Sequence, residues 1–493
     1  MKDLKQRVIR GGFAKICSQG AGFVVRMGSL MILARLLDPK DFGLVGMVTA
    51  VIGVFNLFRD FGLSAAAVQR NTTVTREQAS TLFWVNILVG AILGLLSFAI
   101  APFAVLFYHE PRLFGITAAL ASGFLFNAAG VQHSAMLERE MRFTTLSVID
   151  IISLLTSVLV GIGMALHGYG YWALVATTTV APLVYTVCVW LTTAWVPGRP
   201  HRRVGVRSMM RFGGTLTLNG LVMYIATNFE KVLLGRFWGA EAIGVYGRAY
   251  QLVNMPNDNL NSAASGVAFA ALSRLQDDPP RFRSYFLKGY ALVLSLTVPV
   301  TVACALFAKD MISVFLGPKW QSAVTVVSLL APTTLAFATI NPLGWLLMSL
   351  GLVGRGLRMA LVFAPIMIAG YLIGLPYGPR GVAFAYSAMM TLSVIPMIAA
   401  AVRGTVISVR DVLLTVSRPL LSGIVTAGLV LGLQFWYSPY LLPLPRLVLG
   451  VALVLAGYLG MLLYVMGQKL FYLDILRGFR RPPSVEEQLV VPA

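Results

Sequence analysis

The 493-residue chain is 57% hydrophobic and 12% charged, with a net charge of +20 and a mean hydropathy of +0.79. That balance leaves too little polar surface to coat a water-soluble globule of this length. Soluble enzymes, nucleic-acid binders with a basic patch on a wet domain, and disulfide scaffolds are excluded. Cys17, Cys188 and Cys304 are three in number, far apart and set in apolar stretches, which argues for packing rather than pairing.

A bilayer-spanning helix takes roughly 20 mostly apolar residues, and such stretches recur along the whole chain. The basic start MKDLKQRVIR leads into a first span at 11–37 that runs past about 20 residues without a small-residue cleavage site, so it reads as a retained span and a cytoplasmic N-terminus is expected. Glycine, proline and charge clusters then bound spans at 42–68, 81–108, 112–136, 145–167 and 170–196. After the basic stretch PGRPHRRVGVR, spans follow at 208–238, 243–272, 285–308, 322–350, 357–375 and 381–402, with a last pair at 411–437 and 443–467. The prediction is an all-α polytopic membrane protein of about fourteen spans, with both termini cytoplasmic.

Loop charges test that topology independently, because Lys and Arg gather on the cytoplasmic side. Segments assigned inside carry 25 of the 39 basic residues and those assigned outside carry 8, while six fall within spans. The positive charge is therefore mostly a topology signal, not a polyanion-binding surface.

The chain also repeats itself. LARLLDPKDFGLVGM at 33–47 matches LGRFWGAEAIGVYGR at 234–248 at an offset of 201, aligning Leu33, Arg35, Gly43 and Gly46 with Leu234, Arg236, Gly244 and Gly247. HGYGYWALV at 167–175 is echoed more weakly by YGPRGVAFA at 377–385. Both matches preserve topology, so the repeats are parallel. The expected organisation is a six-helix lobe at 1–196, a basic cytoplasmic linker at 197–207, a pseudo-symmetric six-helix lobe at 208–403, an accessory helix pair at 404–467 and a cytoplasmic tail at 468–493. Transporters built of repeats bind near the membrane midplane and rock one repeat against the other.

Ionisable residues inside spans are the natural candidates for function, since a charge at mid-membrane costs about 2.5 to 3.5 kcal/mol on insertion scales. Arg26 sits mid-span, on one helical face with Lys15, Ser18, Gln19, Gly22 and Ser29; Thr49, Asn56, Asp60 and Ser64 share a face of the next span. In the second lobe Glu230 and Lys231 follow Asn219 and Thr227, and the eighth span carries Arg248, Asn254, Asp258 and Asn261, with Pro256 expected to kink it. The predicted substrate-binding set is Arg26, Arg59, Lys231, Arg248, Asn254 and Asn261, because guanidinium groups make bidentate bonds to phosphate. Asp60, Glu230 and Asp258 are the predicted coupling or ion-binding acids. The bland alternative is that these charges pair with one another inside the bundle.

No catalytic constellation is present: His109, His133, His167 and His201 are scattered, with no HExxH, GxSxG or phosphate loop, and surface or capping roles are expected for them. Neither a cofactor nor a metal is predicted, and the short loops leave no room for a polysaccharide polymerase or ligase.

LARLLDPKDFGLVGM, with FRDFGLSAAAVQR at 58–70 and TLFWVNILVG at 81–90, resembles the N-terminal lobe of Wzx-type polysaccharide flippases. These belong to the multidrug, oligosaccharidyl-lipid and polysaccharide exporter superfamily. GYGYWALV, ALSRLQDDPPRFRSYF and GPKW are similar to the same group at matching places. The resemblance implies a fourteen-helix, two-lobed, non-enzymatic protein of the bacterial inner membrane. It would move undecaprenyl-diphosphate-linked repeat units to the periplasmic leaflet by alternating access, driven by an ion gradient or the membrane potential, alongside polymerase and export proteins of its pathway. It also implies that Arg26, matched by depth in the first span, engages the pyrophosphate. A lipid II flippase and a small-molecule or drug exporter of the same superfamily remain the alternatives.

Overall fold

The computed structural model describes the backbone of residues 2–58, 76–199 and 207–473, with the side chains of 2–17, 76, 207–219 and 263 left aside. Among these residues the chain is helical apart from short connections such as 194–199 and holds no strand. The helices are α1 (Lys2–Leu36), α2 (Pro39–Asn56), α3 (Arg76–Tyr108), α4 (Arg112–Arg139), α5 (Phe143–Leu166), α6 (Tyr171–Thr193), α7 (Arg207–Ser273), α8 (Pro279–Leu306), α9 (Ala323–Ser349), α10 (Val353–Gly374), α11 (Gly378–Val402), α12 (Val409–Tyr437) and α13 (Pro443–Gly460). Each predicted span overlaps one of them, the second only as far as Asn56. By length and composition, nine helical stretches among the described residues can cross a membrane, and the fold is that of an all-α polytopic membrane protein.

Two predicted boundaries shift. The span expected to reach residue 68 leaves the helix after Asn56, and its remainder lies outside the described residues. The seventh and eighth spans, expected to be joined by a short loop, form one 67-residue helical run broken at Gly239 alone, with φ 80° and ψ −175°. A left-handed φ is strained for every residue but glycine, so the turn contracts onto that single position.

Many of the largest exposed side chains are apolar, including Leu95, Phe103, Leu106, Leu159 and Leu191. In water such a surface would aggregate; against lipid tails it is the expected coat. Helix association then depends on close packing of small residues rather than on the hydrophobic effect.

The chain clusters into two compact units. The first comprises residues 1–250, 315–326 and 357–389. Within it α3 packs on α4, α5 on α6, α4 on α6 and α1 on α5, while α2 lies against α3, α4 and α6. The second comprises residues 251–314, 327–356 and 390–493. There α12 packs on α8 and α13. Two polar clasps hold the last helix pair to α8 and the segment after it. Arg283 Nε donates to Asp411 at 2.9 Å, and Asp411 completes a capping box with Ser408 at the start of α12. At the other end Arg446 Nε donates to Asp310 at 2.8 Å and its guanidinium also reaches the carbonyl of Ser438.

Candidate functional site

Within the first unit, the two halves of the repeat meet each other directly. A Cβ built on Gly43 would overlap the carbonyl of Ala240 and come within 3.0 Å of its Cα. A Cβ on Gly244 would overlap the carbonyl of Pro39 and lie 2.7 Å from its carbon. Pro39 and Ala240 are themselves related by the offset of 201, so the contact is reciprocal: each copy's glycine admits the other copy's backbone. A side chain at either position would have to displace the other copy's backbone.

A second set of contacts closes over this motif. Trp320 is fully buried, its indole N–H donating to the carbonyl of Ala34 at 2.8 Å and its ring meeting Phe42 edge-on at 5.3 Å. Lys319 pairs with Asp38 at 2.7 Å. Arg248, predicted as a substrate cation, lies with its guanidinium 4.3 Å from the centre of the Phe42 ring, a stacked position that suits Arg.

Farther along α7 the predicted pair Glu230 and Lys231 meets an aromatic cluster. Glu230 is fully buried, and neither carboxylate oxygen has a hydrogen-bond partner among the described residues. Lys231 Nζ bonds Asn228 Oδ1 at 2.6 Å and stands 5.0 Å from the centre of the Tyr250 ring. Tyr246, Tyr250, Tyr386 and Tyr371 continue the cluster, with ring centres 6.4, 6.0 and 5.8 Å apart in succession. Tyr371 donates to the carbonyl of Ala226 at 2.8 Å, one turn before Glu230. A buried carboxyl without donors is costly unless a proton or cation neutralises it. The cluster therefore gathers the ingredients of an ion-responsive centre: one acid, one ammonium group and phenols able to donate or accept.

The remaining candidates are dispersed. Arg26 is exposed on α1, whose stripe is only partly open: the Ser18 hydroxyl is 3.4 Å from the carbonyl of Ser147, and Gly22 is buried facing Leu154. That edge of the predicted polar face is a packing seam against α5. Arg59 and Asp60 lie outside the described residues. In the second unit Asn254 is 2% exposed, Asp258 is exposed, and the Asn261 carbonyl accepts from the Ser265 hydroxyl at 2.6 Å.

The tyrosines at 246, 371 and 386 were not predicted. Tyr246 stands four residues before Tyr250, one helical turn, which is a readable signal; Tyr371 and Tyr386 come from a later helix hairpin that periodicity cannot assign to α7. His133 also departs from its expected surface or capping role. It is fully buried within α4, packed on Phe83, Trp190 and Trp195, with Nδ1 2.7 Å from the Thr193 hydroxyl. Imidazole there serves as one more flat ring.

Comparison with known proteins follows this geometry. The lipopolysaccharide biosynthesis protein WzxC of Escherichia coli K12 is 26% identical over 355 residues, spanning 70% of this chain and 71% of that protein. The teichuronic acid biosynthesis protein TuaB of Bacillus subtilis 168 is 29% identical over 305 residues, 59% of this chain and 61% of that protein. Among solved structures, the lipid II flippase MurJ in its inward closed conformation superposes with a TM-score of 0.74 at 13% identity, covering 95% of this chain and all of that one. That likeness shows a shared fold. Residues 32–325 match the profile of the family described as polysaccharide biosynthesis protein. The match spans more than half of the sequence and includes both copies of the glycine motif, and the chain belongs to that family.

Proposed function

We propose that the chain is a flippase for undecaprenyl-diphosphate-linked oligosaccharide repeat units, carrying them from the cytoplasmic to the periplasmic leaflet of the bacterial inner membrane for exopolysaccharide, O-antigen or capsule assembly. Its termini face the cytoplasm, as the loop charges argue. Two six-helix lobes, 1–196 and 208–403, alternate access to the substrate, and the helix pair within 404–467 accompanies them. Arg26, Arg59, Lys231 and Arg248, with Asn254 and Asn261, receive the diphosphate and its first sugars. Glu230, Asp60 and Asp258 take up the coupling ion. The chain hands its product to polymerase and export proteins and makes or breaks no covalent bond itself.

The observation that carries this reading is the buried Glu230 beside Lys231 in the tyrosine cluster. Ionisable groups kept at such depth among apolar helices are functional by default, and a carboxyl without donors can follow an ion gradient by gaining and losing a proton or cation. The names of the relatives supply the polysaccharide context.

The test is deletion of the gene followed by extraction of lipid-linked oligosaccharides. Accumulation of the unit on the cytoplasmic leaflet with loss of surface polymer is the expected result. A build-up of unpolymerised units on the periplasmic leaflet would replace the flippase with a polymerase.

A further inference from the structure

A small cavity of about 100 Å³ opens within the first unit between α2, α4 and α6, below the roughly 300 to 1,000 Å³ typical of drug-sized ligand sites, so any occupant is small. Its polar lining is Thr49, Asn56, Asn127 and Thr178, and none of its lining residues is charged. Three of the six polar hydrogens on these side chains donate to backbone carbonyls. Thr49 donates its hydroxyl to the Gly46 carbonyl at 3.2 Å, Thr178 to the Leu174 carbonyl at 2.9 Å, and Asn127 donates its amide to the Gly123 carbonyl at 2.8 Å. What remains for a ligand at those three side chains is the second Asn127 N–H and the oxygen lone pairs. Pro182, also in the lining, has no N–H, which leaves the Thr178 carbonyl four residues earlier without its helical donor. Phe124 is also in the lining.

A polar cavity without cations disfavours phosphates and carboxylates, whose charge it cannot compensate. It is equally unsuited to an alkyl chain, which would leave the acceptors unmatched. It suits a ligand that brings several O–H donors and an apolar C–H face for an aromatic ring. We infer that this cavity is a subsite for one uncharged sugar of the transported oligosaccharide, separate from the cations assigned to the diphosphate. This inference rests on the flippase reading for its substrate and adds to it a division of labour: cations hold the anchor, and neutral oxygens select the sugar. Sites that hydrogen-bond a hydroxyl discriminate strongly against ligands lacking it, so Asn56, Asn127, Thr49 and Thr178 become specificity residues.

Gly123 supplies a clean probe. A Cβ built there meets nothing within 4 Å, so a side chain can start from this lining position, and Gly123→Leu adds bulk to the cavity wall. The experiment is saturation-transfer NMR on the full chain in nanodiscs with methyl glycosides of glucose, galactose, mannose, N-acetylglucosamine and glucuronic acid. At least one neutral glycoside is expected to receive saturation, glucuronate none, and Gly123→Leu is expected to abolish the signal while keeping the wild-type melting midpoint. Should Gly123→Leu lower that midpoint, Asn127→Ala adds no volume and is expected to weaken binding about three- to tenfold, the worth of one neutral hydrogen bond. Absence of binding by every neutral glycoside, equal binding of glucuronate, or a signal unchanged in both variants overturns the inference. The gene-deletion extract decides the flippase reading separately: accumulation of the lipid-linked unit without sugar binding to this cavity leaves the flippase standing and removes only the subsite.

Discussion

Replacing Gly43 by alanine places a methyl group against the backbone of Ala240, and backbone cannot swing aside as a flexible side chain can. On the reciprocal side, a Cβ on Gly244 lies 2.7 Å from the Pro39 carbonyl carbon, while ordinary contact begins at 3.4 Å, so the helices must separate by at least 0.7 Å there. Overpacking of this kind costs about 1–3 kcal/mol. Because both glycines serve one interface, the separation forced by the first substitution already makes room for the second. The double variant is therefore expected to be less destabilised than the sum of the singles, with a coupling of about 0.5–3 kcal/mol. Gly247→Ala is the control: it sits in the same motif, nothing lies within 4 Å of its Cβ, and alanine is favoured over glycine inside a helix by roughly 0.5–1 kcal/mol. The assay is thermal melting of the purified protein and its four variants in one detergent. A Gly43→Ala midpoint equal to that of Gly247→Ala, or strict additivity with Gly244→Ala, would refute the reciprocal contact.

Three further outcomes follow from the same contacts. Arg446→Ala strands the buried carboxylate of Asp310 and is expected to lower stability by about 3–5 kcal/mol, whereas Arg446→Ala combined with Asp310→Asn recovers much of the loss; melting of the two variants checks it. Trp320→Ala empties a fully buried site against Phe42 and Ala34 and is expected to cost about 3–5 kcal/mol, read as a lower melting midpoint and reduced membrane yield. Glu230→Gln keeps the shape but removes the buried acid, so stability is expected to hold or rise while surface polymer falls; unchanged polymer would remove Glu230 from the coupling set.

The fold was legible in the sequence because lipid imposes a length and a hydropathy on every span, and each predicted span overlaps a helix among the described residues. The repeat was legible partly through Gly43 and Gly244, whose backbone contacts leave no room for a Cβ. Glu230 and Lys231 could be singled out because charge in an apolar run is conspicuous. Their surroundings could not, since Tyr371 and Tyr386 sit more than a hundred residues away and tyrosine in an apolar helix is unremarkable. Periodicity also misassigned part of α1, where Ser18 and Gly22 serve helix packing on α5: small and weakly polar residues look alike whether they line water or a neighbouring helix. The neutral cavity was only half visible, with Thr49 and Asn56 noted on α2 and Asn127 and Thr178 on helices that had given no polar stripe.

The central claim is tested most directly by reconstituting the purified chain into liposomes containing its host's undecaprenyl-linked repeat unit and adding a membrane-impermeant glycosidase outside. With the chain present and a cation or proton gradient imposed, cleavage is expected to pass beyond the outer-leaflet pool toward completion, and Lys231→Ala or Glu230→Gln is expected to slow that second phase. Cleavage that stops at the outer-leaflet pool, as in protein-free vesicles, would contradict the account.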